Sequence, residues 1–193
     1  MASREQQLIN EPERIRALSH PLRLRLLDIL GERGELTATQ CAELTGESVA
    51  SCSFHLRMLE KYGFIERAEA RGREKPWRTV SRGGYATEVD PEVPGSVQAT
   101  AELARLTFQQ RAQGLWAAVE RLGDEPPEWI GATRLMGGSF WATAEEAAEV
   151  ADQIQELLGR FEERDDPALR PEGARRVRVM STIHSEPPAP SGA

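Results

Sequence analysis

The side chains with the clearest chemistry fall in two short clusters. Ser48, Ser51, Ser53, Phe54, His55 and Arg57 stand close together, and Arg71, Arg73 and Lys75 follow at alternate positions. Small hydroxyls beside an arginine offer hydrogen bonds and allow close approach to flat polar edges, such as those of bases. Alternating cations suit phosphate oxygens. Neither cluster suits bond-making chemistry. The chain has no phosphate-cradling glycine loop, no Gly-x-Ser-x-Gly elbow and no His-Glu-x-x-His pair. Ser139, after Gly137-Gly138, has only His184 near it in sequence, and Glu145, Glu146, Glu149 and Asp152 fall at positions expected on a solvated helix face. The expectation is a non-enzyme that needs no cofactor.

Local punctuation then dictates the elements that carry these residues. Asn10 with Glu13 has the spacing of a helix cap and its reciprocal partner. His20-Pro21 breaks the chain, and Pro21 suits the first turn of a second helix whose Leu22, Leu26 and Ile29 share one face. Gly31 and Gly34 end it. Thr37 with Gln40 opens a third helix through Leu44, and Gly46 suits the left-handed residue that closes it. Ser48 caps a fourth helix to Tyr62, and Gly63 closes that one. Cys52, Leu56 and Leu59 form its apolar stripe. Only about three residues separate helices three and four, the turn of a helix-turn-helix.

A hairpin follows, with strands expected over Phe64–Glu69 and Trp77–Ser81. The cations Arg71, Arg73 and Lys75 sit at its tip, and Gly72 permits the turn. Helix-turn-helix plus basic hairpin is the order of a winged DNA-binding domain, with one helix for the major groove and a wing for the flank.

Residues 14–81 resemble the winged helix-turn-helix of the ArsR-type bacterial transcription regulators. The segments ALSHPLRLRLLDIL and SFHLRMLEKYGFIER carry the likeness, which covers about a third of the chain. It implies a homodimeric repressor or activator bound to double-stranded DNA. His20 and His55 belong to the matching segments, so a structural or DNA-proximal role is expected for them. The metal clusters of the short members are not repeated. Cys41 stands alone, Cys52 follows eleven residues later, and no Cys or His pair has ligand spacing. No metal site is expected, and the two cysteines read as small core residues.

Composition agrees with this reading. The net charge of −7 conceals a division: residues 1–82 hold 14 Lys and Arg against 12 Asp and Glu, and residues 83–193 hold 10 against 19. The acidity therefore lies outside the half proposed to meet nucleic acid. Two cysteines and no secretory leader suggest a cytoplasmic setting, and no apolar run reaches the length of a membrane span.

The expected organisation is mainly α with a small β component. Residues 1–82 form the DNA-binding domain, 83–95 a linker, 96–184 a dimerisation and effector region, and 185–193 a disordered tail. A long helix over Ser96–Leu122 places Val97, Ala101, Ala104, Phe108, Leu115, Ala118 and Leu122 on a heptad seam broken by Arg111. Leu103, Leu106, Trp116 and Val119 form a second strip. Such a helix packs either within one bundle or against its own domain and a second copy. Beyond it, the C-terminal part reads as an α+β unit. An extended segment over Ala132–Ala142, a helix opened by Thr143 and Glu146 and running to about Glu163, and a strand over Arg175–Ile183 are expected. Trp116, Trp129, Met136, Phe140 and Trp141 either line a pocket for a small apolar effector or form this unit's core. A winged helix used only to dock another protein is the alternative to DNA binding.

Overall fold

The computed structural model describes residues 7–69, 75–81, 85–87, 89–134 and 136–186. The chain divides into two units, the first ending at Arg121 and the second starting at Leu122.

The first unit is the winged helix-turn-helix. It begins with a short strand β1 (Gln7–Ile9), then α1 (Pro12–Leu18), α2 (Pro21–Arg33), α3 (Ala38–Thr45) and α4 (Val49–Lys61). Strands β2 (Ile65–Arg67) and β3 (Trp77–Thr79) form the wing, followed by β4 (Tyr85–Thr87) and the long helix α5 (Ser96–Glu120). The expected caps of α3 and α4 are present. The Thr37 hydroxyl accepts the Gln40 N–H while the Gln40 side chain accepts the Thr37 N–H, and the Ser48 hydroxyl accepts the Ser51 N–H at 3.1 Å. Gly46 closes α3 at φ 77°, and Gly63 follows α4 at φ 75°. Both conformations are cheap only for glycine.

The first helix departs from expectation. Its cap is Glu11, with no side-chain cap bond, because Pro12 takes the first-turn position and shifts the start beyond Asn10. Gly31 lies inside α2, and Gly34 alone closes it. The wing strands are shorter than expected, but they gain a partner: Leu36 and Trp77 exchange backbone hydrogen bonds of 3.0 and 2.8 Å. β1 pairs in parallel with β4, from Gln7 opposite Tyr85 to Ile9 opposite Thr87. Residues 83–95, expected as linker, thus contain a paired strand.

The core gathers Ile15 and Leu18 of α1, Leu26 and Leu30 of α2, Cys41 of α3, Cys52, Leu56 and Leu59 of α4, Phe64, Ile65 and Trp77 of the wing, and Ala99 and Leu103 of α5. Each helix supplies one stripe, so burial fixes which face of α4 is left outside.

The second unit is helical: a 3-10 turn over Leu122–Asp124, α6 (Pro127–Ala132), α7 (Ala144–Gly159), and 3-10 turns over Glu162–Asp165 and Pro167–Leu169. Thr143 and Glu146 form the expected capping box. Pro127 opens a helix where only a stop was expected. The expected C-terminal α+β arrangement is corrected among the described residues. Both 136–142 and 174–186 are irregular. Alternating side chains do not make a strand without a neighbour to take its backbone bonds. No described residue of this unit is buried.

Candidate nucleic-acid interface

Three residues, Gly46, Glu47 and Ser48, connect α3 to α4. The helices are locked together on the inside. Cys41 and Cys52 are fully buried, and the Thr45 hydroxyl donates to the Cys41 carbonyl at 2.8 Å and lies 3.5 Å from the Cys52 sulfur. Burial first, and proximity to Cys52 second, push the Cys41 thiol up to about 12. A buried thiol held protonated is a poor nucleophile at neutral pH. The core reading of both cysteines thus has a structural basis.

With Cys52, Leu56 and Leu59 turned inward, α4 exposes Val49, Ala50, Phe54, Arg57 and Lys61. Phe54 is 53% and Val49 46% exposed, large values for apolar side chains. Ser51, Ser53 and His55 flank this face and are half-buried, while Ser48 stands exposed at the helix start. The structure therefore brings Ser48, Phe54 and Arg57 onto one open surface and sets Ser51, Ser53 and His55 at its edges. Ala50 and Lys61 complete the face and were missed, while Val49 is exposed in the first turn on the side of the inner stripe. Counting outward from the Cys52–Leu56–Leu59 stripe would have found them. Small apolar groups and a phenyl ring fit the thymine methyl, and arginine fits guanine.

His55, at the edge of this face, turns toward His20 at the start of α2. Its ring centroid lies 4.2 Å from that of His20, with the planes inclined by 33°, and Phe54 meets its edge. The His20 Nδ1 accepts the Leu22 N–H at 3.1 Å and so caps α2. Both imidazoles are held below the ordinary histidine value. Desolvation is the main cause for each. Arg23 adds to it at both, the facing His20 also lowers His55, and Glu47 partly opposes the shift at both.

The wing base is braced by charge. The Arg67 guanidinium lies 3.4 Å over the Trp77 ring centroid, donates to the Lys75 carbonyl at 2.8 Å and pairs with Glu60 at 3.4 Å. Arg78 pairs with Glu66 at 2.8 Å and with Glu35 at 3.8 Å. These two arginines were not singled out from sequence. Their carboxylate partners mark them as braces for the hairpin. Lys75 is exposed at the wing. Arg71 and Arg73, with Gly72, lie outside the described residues.

The aromatic residues considered for an effector site are open. Met136, Phe140 and Trp141 stand exposed on irregular chain, and Trp116 is exposed on α5. Trp129 is half-buried, with the Arg175 guanidinium 4.9 Å from its ring centroid and Arg175 paired to Glu125 at 2.6 Å. Among the described residues no group of three or more His, Cys, Asp or Glu is placed to hold a metal, and no helix is long and apolar enough to cross a membrane.

Residues 18–68 match the family described as a helix-turn-helix domain. Three solved structures are also similar to parts of the chain. One is the homodimeric winged helix-turn-helix DNA-binding domain of a possible ArsR-family transcriptional regulator from Mycobacterium bovis, 21% identical with a TM-score of 0.33, covering 51% of this chain and 77% of that one. Another is a probable transcriptional regulator from Pseudomonas aeruginosa, 18% identical with a TM-score of 0.32, covering 57% and 88%. The third is MepR, a transcription regulator of the Staphylococcus aureus multidrug efflux pump MepA, 14% identical with a TM-score of 0.30, covering 72% and 78%. No curated protein matches the chain. The chain has a winged helix-turn-helix at its N-terminus, carried by the family match and the geometry of α2, α3, α4 and the wing.

Proposed function

We propose that this protein is a transcription regulator of the ArsR type that binds double-stranded DNA in a sequence-specific manner, as a homodimer on an inverted-repeat operator. One observation carries the reading: the face of α4 left outside the core presents Ala50, Phe54, Arg57 and Lys61 together, on a helix anchored by a three-residue turn. Ser48, Ser51, Ser53 and His55 border the same face. Lys75, with Arg71 and Arg73, would grip the backbone from the wing.

Homodimerisation is supported by α5. Ser96, Ala99 and Leu103 are buried against the first unit, while Val97, Phe108, Leu115 and Val119 on other faces are exposed. A second copy of the same stripe would cover them, and a two-fold dimer matches a two-fold operator. A small apolar effector, with Trp116, Trp129, Met136, Phe140 and Trp141 as its contacts, and a bacterial cytoplasmic setting complete the proposal.

Selection from a random DNA pool at physiological salt tests it. Enrichment of an inverted repeat whose half-site centres lie about one DNA turn (~34 Å) or a multiple apart is expected. Failure to enrich any motif, with no shift on DNA at low salt, would favour a protein-docking winged helix. The exposed Phe54 and Val49 are what favour that second reading, since an apolar face also suits a protein partner.

A further inference from the structure

Two zones attach α5 to the rest of the first unit. Its start is buried through Ser96, Ala99 and Leu103. Its middle is held by one carboxylate: Gln110 Nε2 donates to Asp28 Oδ2 at 2.9 Å, and Arg111 Nη2 lies 3.5 Å from Asp28 Oδ1. The Asp28 side chain is only 16% exposed and Arg111 is 40% exposed, so the carboxylate is partly shielded while its cation still meets water. Tyr85 of β4 and Thr107 of α5 line the same place. The cavity beside it, walled by Leu24, Leu27 and Tyr85, measures about 30 Å³, far too small for an organic effector. From Gln113 to its end at Glu120, every residue of α5 is exposed.

Two geometric facts follow. Leu103 and Arg111 are separated by roughly 12 Å of helix, so the buried start and the Asp28 contact together define a direction. Adjacent residues on a helix point about 100° apart. A single carboxylate bonded to both Gln110 and Arg111 therefore resists rotation of α5 about its axis as well as tilt. This also accounts for Arg111 as the polar break in an otherwise apolar seam: it faces α2.

We infer that Asp28, through Gln110 and Arg111, is the positioning residue that sets the angle between α5 and the helix-turn-helix, and thereby the half-site spacing that the dimer accepts. The inference rests on the proposed DNA-binding dimer. In such a dimer α5 is the shared axis and α4 the reader, so the angle between them becomes the distance between the two readers. A loosened α5 would still read each half-site but would tolerate several spacers.

The test uses the full chain and the variants Asp28→Asn and Arg111→Gln, each first shown to melt cooperatively. Random-pool selection reads the half-site and the spacer separately. Both variants are expected to enrich the same half-site as the wild type, while preference for the best spacer over the next falls on the order of tenfold, the size of a local coupling. A second readout needs no DNA. A spin label at Glu43→Cys is selective because Cys41 and Cys52 are fully buried, and the distance distribution between labels in the two subunits is expected to broaden in Asp28→Asn. A folded variant with wild-type spacer preference overturns the inference and leaves DNA binding standing. A wild type that enriches no repeated half-site overturns the DNA-binding dimer itself, and this inference with it.

Discussion

His20 and His55 stack with ring centroids 4.2 Å apart, joining the residue that caps α2 to the middle of the helix that presents Phe54 and Arg57. Because His20 Nδ1 accepts the Leu22 N–H, it must be unprotonated. The His55 Nδ1 is buried, with no partner among the described residues. A proton on His20 would cost the cap of α2. It would also bring a cation against Arg23 and the facing ring.

A pH dependence follows, and its sign is fixed. Both folded-state values are lowered from 6.5, so the unfolded chain binds more protons. Stability is then fully present above pH 6.5 and is lost as pH falls through the lowered folded values. The thermal midpoint should drop on acidification below pH 6.5. His20→Asn keeps a good capping side chain and removes one titration, so it should flatten that drop. A midpoint that rises on acidification would contradict the assignment.

Leu56 lies fully buried on the inner stripe of α4. Leu56→Ala should destabilise the first unit by about 2–5 kcal/mol in denaturant titration, through lost burial and the cavity left behind. Arg57→Ala, one position on but exposed, should change the midpoint by less than about 0.5 kcal/mol.

The same Arg57→Ala change should relax the preferred operator, measured by repeating the selection. Lys75→Ala should instead weaken binding to all sequences alike and reduce the slope of log affinity against log salt by about one. An unchanged slope would show that Lys75 does not meet phosphate.

Gly46 turns the chain between α3 and α4 at φ 77°, with open space where a Cβ would stand. Gly46→Ala should therefore cost about 1–2 kcal/mol from backbone strain alone. Gly46→Asn should cost less, since asparagine tolerates the left-handed region. Equal losses for both would point to a clash instead.

The helix-turn-helix was legible because its signals are local. Thr37 with Gln40, Gly46, Ser48 and Gly63 each act within one turn of the residues they control, and each does what its spacing implied. The outward face of α4 was legible in part. Serines and arginine announce themselves by chemistry, whereas Ala50 looks like core until the helix phase is fixed by Cys52, Leu56 and Leu59, and Val49 is in phase with that stripe yet exposed in the first turn. What escaped is non-local. The Leu36–Trp77 bridge, the pairing of β1 with β4 and the hold of Asp28 on Gln110 and Arg111 join residues far apart in sequence, and none leaves a periodic mark. The strand expected over Arg175–Ile183 failed for the converse reason. Its alternation was present, but no strand of its own unit is there among the described residues to pair with it.

The parallel ladder between Gln7–Ile9 and Tyr85–Thr87 binds the first-made part of this unit to its later part. During synthesis at about 5–20 residues per second, Ile9 waits roughly 4–16 s before its partner strand exists. Throughout that interval an aliphatic side chain destined for full burial has no sheet to join. Any agent that captures nascent apolar segments has its best opportunity there, before β4 is made.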